Sequence, residues 1–283
     1  MQLWFSERHT PQVKFSVKVD KQLYSGQSEF QRIDVFDSKE FGRILTLDGY
    51  IMLTEKDEFI YHEMMVHVPM AVGPDIKNVL VIGAGDGGAV RELVRYQTVE
   101  NIDLVEIDPL VIEICKNFLP QTACRLDDSR VNIYNEDGLK YIRRFSDHYD
   151  LIMVDSTGPV GPAEGLFTKE FYGNCYKALT ENGIMINQHE SPFYTEDAQA
   201  MQRAHKRIIE SFPIGKVYQA HVPTYPSGHW LFGFSSKNLH PIHNLNDVKW
   251  NSLGMKMKYY NTRLHVGAFA LPTYVEELLK DVE

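Results

Sequence analysis

The sequence predicts an α/β protein, a mostly parallel sheet layered with helices and preceded by a small antiparallel β-domain. Three observations carry this. Apolar runs at 78–83, 101–107, 130–135, 149–155 and 183–188 alternate with segments of helical spacing near 87–96, 109–118, 138–145, 168–180 and 195–211, the pattern of βαβ units. The first run, Val79-Leu80-Val81-Ile82, opens directly into Gly83-Ala84-Gly85-Asp86-Gly87-Gly88, a strand–glycine loop–helix junction. Before residue 54 the period is two instead, as in Val13-Lys14-Phe15-Ser16-Val17-Lys18-Val19, which suits half-buried strands. The fold class that results is Rossmann-like, of the methyltransferase type.

Each element has its own signal. Residues 13–19 form a strand, Ser25-Gly26-Gln27-Ser28 reads as a turn, and a second strand follows around 31–36. Ile44–Leu47 and Tyr50–Leu53 flank Asp48-Gly49, the strongest hairpin signal in the chain. Thr54 opens a T-x-x-D helix start, and helical spacing runs from Glu58 to Ala71 before Gly73-Pro74 closes it. The boundary between a β-strand domain, 1–56, and a Rossmann-like domain, 57–283, falls here. Residues 216–222 and 229–236 close the sheet as an antiparallel pair, followed by loop and a short helix at 273–280.

Composition bounds the partners. A chain of 283 residues with 43% hydrophobic and 24% charged residues builds a core without disulfides or structural metal. The net charge of −9 argues against a nucleic-acid backbone as partner. Cys115, Cys124 and Cys175 are widely spaced and odd in number, as reduced thiols in a cytoplasmic protein are. Neither a signal-peptide core nor an apolar run of spanning length is visible, so the expectation is a cytoplasmic protein without a membrane partner.

Ligands of open α/β sheets bind outside the carboxyl ends of the strands, and here those ends carry acids. The glycine loop holds Asp86, the second strand delivers Glu106, the third leads into Asp137-Gly138, and the fourth ends at Asp155. A helix N-terminus after a glycine loop ordinarily attracts a phosphate, but Asp86 stands in the anion's place and repels it. Taken singly, each feature has a plainer explanation. G-x-G-x-x-G followed by an acid fits a dinucleotide site, Asp137 fits a helix cap, and Asp155 fits a solvated strand end. Taken together, clustered acids require an offsetting cation or hydrogen-bond donors. The acids come singly from separate strands, and His62 and His67 are five residues apart rather than four. A positively charged organic ligand therefore suits the pattern better than a metal, and no metal is expected.

Asp155-Ser156-Thr157-Gly158-Pro159-Val160-Gly161-Pro162-Ala163-Glu164, the stretch Tyr61-His62-Glu63-Met64, the glycine loop and Pro223-Thr224-Tyr225-Pro226-Ser227-Gly228 together resemble the spermidine synthases, the polyamine aminopropyltransferases. The resemblance runs through nearly the whole chain. It implies transfer of an aminopropyl group from decarboxylated S-adenosylmethionine, as co-substrate with no further cofactor, to a diamine, normally putrescine. The products are spermidine, 5′-methylthioadenosine and a proton. It also implies roles. Asp86 contacts the donor's amine, Glu106 the ribose hydroxyls, and Asp137 with Gly138 the adenine edge. Gln31 and Pro162 line the methylthioadenosine part. Tyr61, His62, Ser156 and Tyr225 surround the transferred chain and the acceptor, Trp4 helps close the acceptor end, and Asp155 takes the proton. Homodimers or homotetramers are the implied assemblies.

One position departs from the family pattern. Family members usually hold an acid three residues after the catalytic Asp, where this chain has Gly158, and Glu190 is the candidate substitute. Ala84 replaces a commoner glycine and is expected only to tighten the turn. The rivals are an aminopropyltransferase for cadaverine or spermidine, a methyltransferase using ordinary S-adenosylmethionine, an NAD-dependent oxidoreductase, and a polyamine-binding protein that has lost catalysis. In the methyltransferase the donor carboxylate meets Asp86 unfavourably, and in the oxidoreductase the loop carboxylate opposes the pyrophosphate.

Overall fold

The structure, a computed structural model, describes residues 2–158 and 161–282, with the side chains of residues 161 and 162 also outside the description. The N-terminal strands are β1 (Leu3–Thr10), β2 (Val13–Val19), β3 (Lys21–Gln27), β4 (Arg32–Ser38), β5 (Gly42–Leu47) and β6 (Tyr50–Thr54). β1 and β2 pair as a separate hairpin, and β3–β4–β5–β6 form a four-stranded antiparallel sheet. Val17 and Val19 of the hairpin pack with Ile44 and Ile51 of that sheet. The period of two read at 13–19 and the Asp48-Gly49 hairpin are both present.

Two N-terminal expectations need correction. β1 and β3 were not anticipated, and residues 25–27 are strand rather than turn. Gly26 serves packing: a Cβ there would lie 2.2 Å from the hydroxyl of Tyr24 on the same strand face. The turn begins at Ser28, whose Oγ accepts the amides of Phe30 and Gln31. Thr54 does not cap the first helix either. Asp57 holds the N-cap position, without a side-chain cap hydrogen bond.

The remaining elements are α1 (Glu58–Val72), β7 (Asn78–Gly83), α2 (Gly88–Leu93), β8 (Asn101–Val105), α3 (Pro109–Phe118), α4 (Pro120–Ala123), β9 (Val131–Tyr134), α5 (Gly138–Ile142), β10 (Tyr149–Asp155), α6 (Lys169–Ala178), β11 (Leu179–Gln188), α7 (Thr195–Ile209), β12 (Ile214–His221), β13 (His229–Ser236), α8 (Asp247–Ser252), α9 (Thr262–Ala268) and α10 (Thr273–Lys280). Among the described residues the main sheet has seven strands in the order β12-β13-β11-β10-β7-β8-β9. β11, β10, β7, β8 and β9 are parallel, while β13 and β12 close the sheet antiparallel. The short helices α8 and α9 lie where loop was expected. Each starts at an asparagine cap, Asn246 or Asn261, too brief a signal to show as periodicity. Among the described residues no helix is long and apolar enough to cross a membrane.

The central strands are buried on both faces, as parallel strands covered by helices must be. Val79, Val81, Leu151, Met153, Ile184 and Ile186 enter one core, and Leu80, Ile82, Ile152, Val154 and Met185 the other. This alternation brings the ends of β7 and β10 out side by side, with Asp155 in register with Gly83. The strand order reverses between these two, so the site predicted at the strand ends sits at the topological switch point.

The β1–β2 hairpin is tied to the catalytic side of the molecule by His9. Its Nε2 lies 2.9 Å from Asp197 of α7, and its Nδ1 lies 3.6 Å from the buried Glu7. The ring also packs against Tyr194. Hydrogen bonds to Asp197 and Glu7 outweigh the cost of burial and push His9 up to about 9. The raised folded value means that this stabilisation is complete below the unfolded histidine value and is lost as pH rises through about 9. Wild type should therefore exceed His9→Gln by about 1–2 kcal/mol near neutral pH, with the gap closing at high pH in urea unfolding. A gap independent of pH would mean that His9 contributes packing alone.

Candidate active site

The glycine loop is shaped by contact between two backbones. Gly83 has φ +83°, and a Cβ on it would lie 2.0 Å from the carbonyl oxygen of Asp155. That carbonyl accepts the Ala84 amide at 3.1 Å. Ala84 itself has φ 59°. Its methyl group therefore does not simply tighten the turn; it sits in the left-handed region that disfavours side chains.

Asp86 lies at the centre of the loop. Its Oδ1 accepts the Gly88 amide at 2.8 Å and lies 3.2 Å from Nε2 of His62. The His62 ring rests on Gly88, where a Cβ would come within 2.1 Å of it. Nδ1 of His62 donates to Glu58 at 2.6 Å, one helical turn earlier on α1. Arg91 of α2 clasps both oxygens of Glu58, each at 2.9 Å. Burial opposes charge on His62, but Asp86 and Glu58 on its two sides win and push it up to about 10. The same imidazolium, working against burial, lowers Asp86.

Asp155 ends β10 beside this group. Tyr61 donates to its Oδ1 at 2.6 Å, and its Oδ2 is buried without a hydrogen-bond partner among the described residues. Burial and the charge of Asp86 push Asp155 up to about 6, against the pull of His62 and the Tyr61 hydroxyl. Ligand atoms of His62, Asp86 and Asp155 lie within 4.8 Å of one another. Two carboxylates so close, with a single imidazolium beside them, favour a further positive charge.

The acids read at the other strand ends line the same edge. Glu106 follows β8 and accepts the amides of Gly85 and Asp108. Burial pushes it up to about 7, as does the charge of Asp108, although those two amides pull the other way. Gln31 reaches from the N-terminal sheet to Asp108, donating at 3.0 Å. Asp137 caps α5 through the amides of Leu139 and Lys140, which is its plainer explanation made visible. Gly138 packs on Ile82, where a Cβ would clash at 2.5 Å.

On the far side, Tyr225 sets its ring against Tyr61 and Trp230 and donates its hydroxyl to Met52 of β6 at 2.7 Å. Oγ of Ser156 is buried without a partner among the described residues. Gly158 stands against Glu190, whose Oε1 lies 2.7 Å from the point a Cβ would occupy. Glu190 is held by Gln188 at 2.9 Å, and burial pushes it up to about 7. Trp4 is 53% exposed on β1. The Pro162 side chain lies outside the described residues.

Sequence reasoning missed Glu58, Arg91 and Asp57. Glu58 precedes His62 by four residues on a helix that was foreseen, so its spacing was available as a signal. Arg91, and Asp57 toward Thr224, act across distances in sequence that leave no local pattern.

A carboxylate inside the glycine loop, an acid after the second strand and Asp155 beside His62 at the switch point define a Rossmann-like crevice lined with negative charge. The comparisons with known proteins narrow that class. Residues 58–247 match the spermine/spermidine synthase domain and residues 3–55 the spermidine synthase tetramerisation domain. The chain is 69% identical to a polyamine aminopropyltransferase of Alkaliphilus oremlandii and 67% identical to one of Clostridium perfringens, covering 100% of both chains in each case. A spermidine synthase in complex with the transition state analogue AdoDATO superposes with a TM-score of 0.96 at 44% identity, over 98% of this chain and 95% of that one. The spermidine synthase from Thermotoga maritima gives 0.94, also at 44%, over 98% and 94%. The chain belongs to the spermidine synthase family of polyamine aminopropyltransferases.

The strain at Ala84 is measurable. Relief of a left-handed alanine is worth about 1–2 kcal/mol, and the added freedom of glycine in the unfolded chain returns about 0.4–1 kcal/mol. Ala84→Gly should therefore raise the unfolding free energy by up to about 1.5 kcal/mol in urea titrations. A loss of stability would show that the Ala84 methyl contributes packing that outweighs its backbone.

Proposed function

We propose that this chain is a spermidine synthase that moves the aminopropyl group of decarboxylated S-adenosylmethionine to putrescine. The observation that carries this is the pair Asp86 and Asp155, gathered with His62 within 4.8 Å of one another at the strand ends, which would receive two ammonium-bearing substrates. Glu106 accepts the ribose hydroxyls, and Asp137, Gly138, Gln31 and Pro162 surround the adenine and its ribose. No further cofactor is required, because the sulfonium already supplies the leaving group. Residues 1–56 and 57–283 act as two domains of a cytoplasmic homo-oligomer.

The nucleophile must be a neutral amine. An alkylamine releases its proton at pH 7 at a cost of about 4 kcal/mol, and withdrawal from water lowers that cost. Asp155, raised to about 6, stays ionised at neutral pH yet is basic enough to take the proton. Tyr61 fixes one oxygen of Asp155 and leaves the other for the amine. The amine attacks the methylene next to sulfur, the carbon–sulfur bond breaks, and neutral methylthioadenosine departs. Positioning the two substrates in line supplies the remaining acceleration. Asp155→Asn should lower turnover by about 10²–10⁴-fold while leaving methylthioadenosine binding intact. Wild-type turnover should fall as pH drops below about 6. Near-normal turnover in the variant would remove Asp155 from the role.

Glu190 supports putrescine as acceptor despite Gly158. Its carboxylate occupies the space that a side chain at 158 would fill, so the distal ammonium meets an acid delivered from β11 instead of the loop. Glu190→Gln should raise the putrescine KM by about ten-fold or more, the scale of a charge-assisted hydrogen bond. Gly158→Asp alone should leave KM unchanged or higher, because two carboxylates would then compete for one place. The same change combined with Glu190→Gln should bring KM back down. A low KM for cadaverine or spermidine in wild type, with putrescine poorly used, would favour the longer-acceptor reading.

A further inference from the structure

Asp57 occupies the N-cap of α1, where its side chain would ordinarily accept that helix's own amides. It does not. Oδ1 accepts the hydroxyl of Thr54 at 2.6 Å, and Oδ2 accepts both the amide of Thr224 at 3.0 Å and its hydroxyl at 2.6 Å. Asp57, Thr54 and Thr224 are all buried. A buried carboxylate needs such donors to offset its desolvation, and here every one comes from elsewhere in the fold. Thr54 ends β6 of the N-terminal sheet, Asp57 starts the helix that bears Tyr61 and His62, and Thr224 belongs to the loop between β12 and β13.

Apart from the ties of Thr224 and a contact of Ser227 Oγ with Oγ of Ser191 at 2.9 Å, the hydrogen bonds of that loop's backbone close on the loop itself. The Tyr225 amide donates to Val222, the Gly228 amide to Tyr225, and the Val222 amide to Gly228. Its attachments to the N-terminal elements run through Thr224 to Asp57 and through the Tyr225 hydroxyl to Met52. Tyr225 in turn packs edge-on against Tyr61, and Tyr61 holds Asp155.

We infer that Asp57 is a positioning residue for the acceptor side of the site, fixing the Tyr225 loop against α1 so that Tyr225, Tyr61 and Asp155 keep one arrangement. This rests on the proposed aminopropyl transfer, with Tyr225 and Tyr61 beside the acceptor amine. Among the described residues no hydrogen bond joins Asp57 or Thr224 to Asp86, Glu106 or Asp137, which build the donor half.

The test uses Asp57→Ala, Asp57→Asn, Thr224→Val and Thr224→Ser in the full chain. Asp57→Ala and Thr224→Val should raise the putrescine KM and lower kcat, together costing about ten-fold or more in kcat/KM, while the Kd of 5′-methylthioadenosine stays within about two-fold of wild type. Thr224→Ser keeps the hydroxyl and Asp57→Asn keeps one carbonyl, so both should recover most of the loss. The double variant Asp57→Ala/Thr224→Val should be no worse than the worse single one. Amide exchange of residues 222–228 should quicken in the impaired variants alone. Equal losses toward putrescine and methylthioadenosine, additive effects of the two substitutions, or unchanged exchange would overturn the role. If wild type makes no product from putrescine, the transfer reading fails, and exchange of the loop still decides whether Asp57 fixes it. Should Asp57→Ala not fold, the Thr224 pair carries the test.

Discussion

Concentrating negative charge at one edge of a sheet is costly, and the rest of this site depends on how one imidazolium limits that cost. His62 stands between Glu58 and Asp86 and within reach of Asp155. Arg91 holds Glu58 from behind, so the alternation of charge continues from the crevice back into α2. Without it, three carboxylates would face each other across a buried space, and desolvation would drive at least one to take up a proton. With it, Asp86 is held toward its ionised form and the loop keeps its shape through the Gly88 amide. Glycine at 88 follows from the same contact, because the His62 ring occupies the volume that any side chain there would need.

The parallel sheet was legible because its signals are local. Apolar runs with turn chemistry between them mark strands wherever the chain places them, and the acids at the strand ends could be found by position alone. What escaped was whatever depends on partners distant in the chain. β1 and β3 lack clean alternation because the hairpin and the small sheet bury only part of each strand. Gly26 looked like a turn residue, yet its missing side chain makes room for Tyr24. Arg91 meets Glu58 across 33 residues, and Asp57 meets Thr224 across 167. No window of sequence contains both ends of either pair.

Gly158 and Glu190 illustrate a limit of motif reading. The loop after Asp155 lacks an acid, which suggests a weakened site when the motif is read alone. In three dimensions the end of β11 lies alongside that loop, and a carboxylate from Glu190 fills the gap from the other side. Charge at a given place can be supplied from either of two neighbouring strand ends. A missing residue in a motif therefore says less than the local sum of charge around the position it would have filled.

The β1–β2 hairpin shares no backbone ladder with either of the other sheets among the described residues. It is held by a small apolar contact with the N-terminal sheet, by Glu7 accepting the Ile51 amide, and by the His9 ion pair with α7. A unit attached in this way opens without the rest of the molecule unfolding. Side chains rather than a shared ladder, His9 and Glu7 foremost, therefore decide how firmly these two strands stay on α7 and the four-stranded sheet.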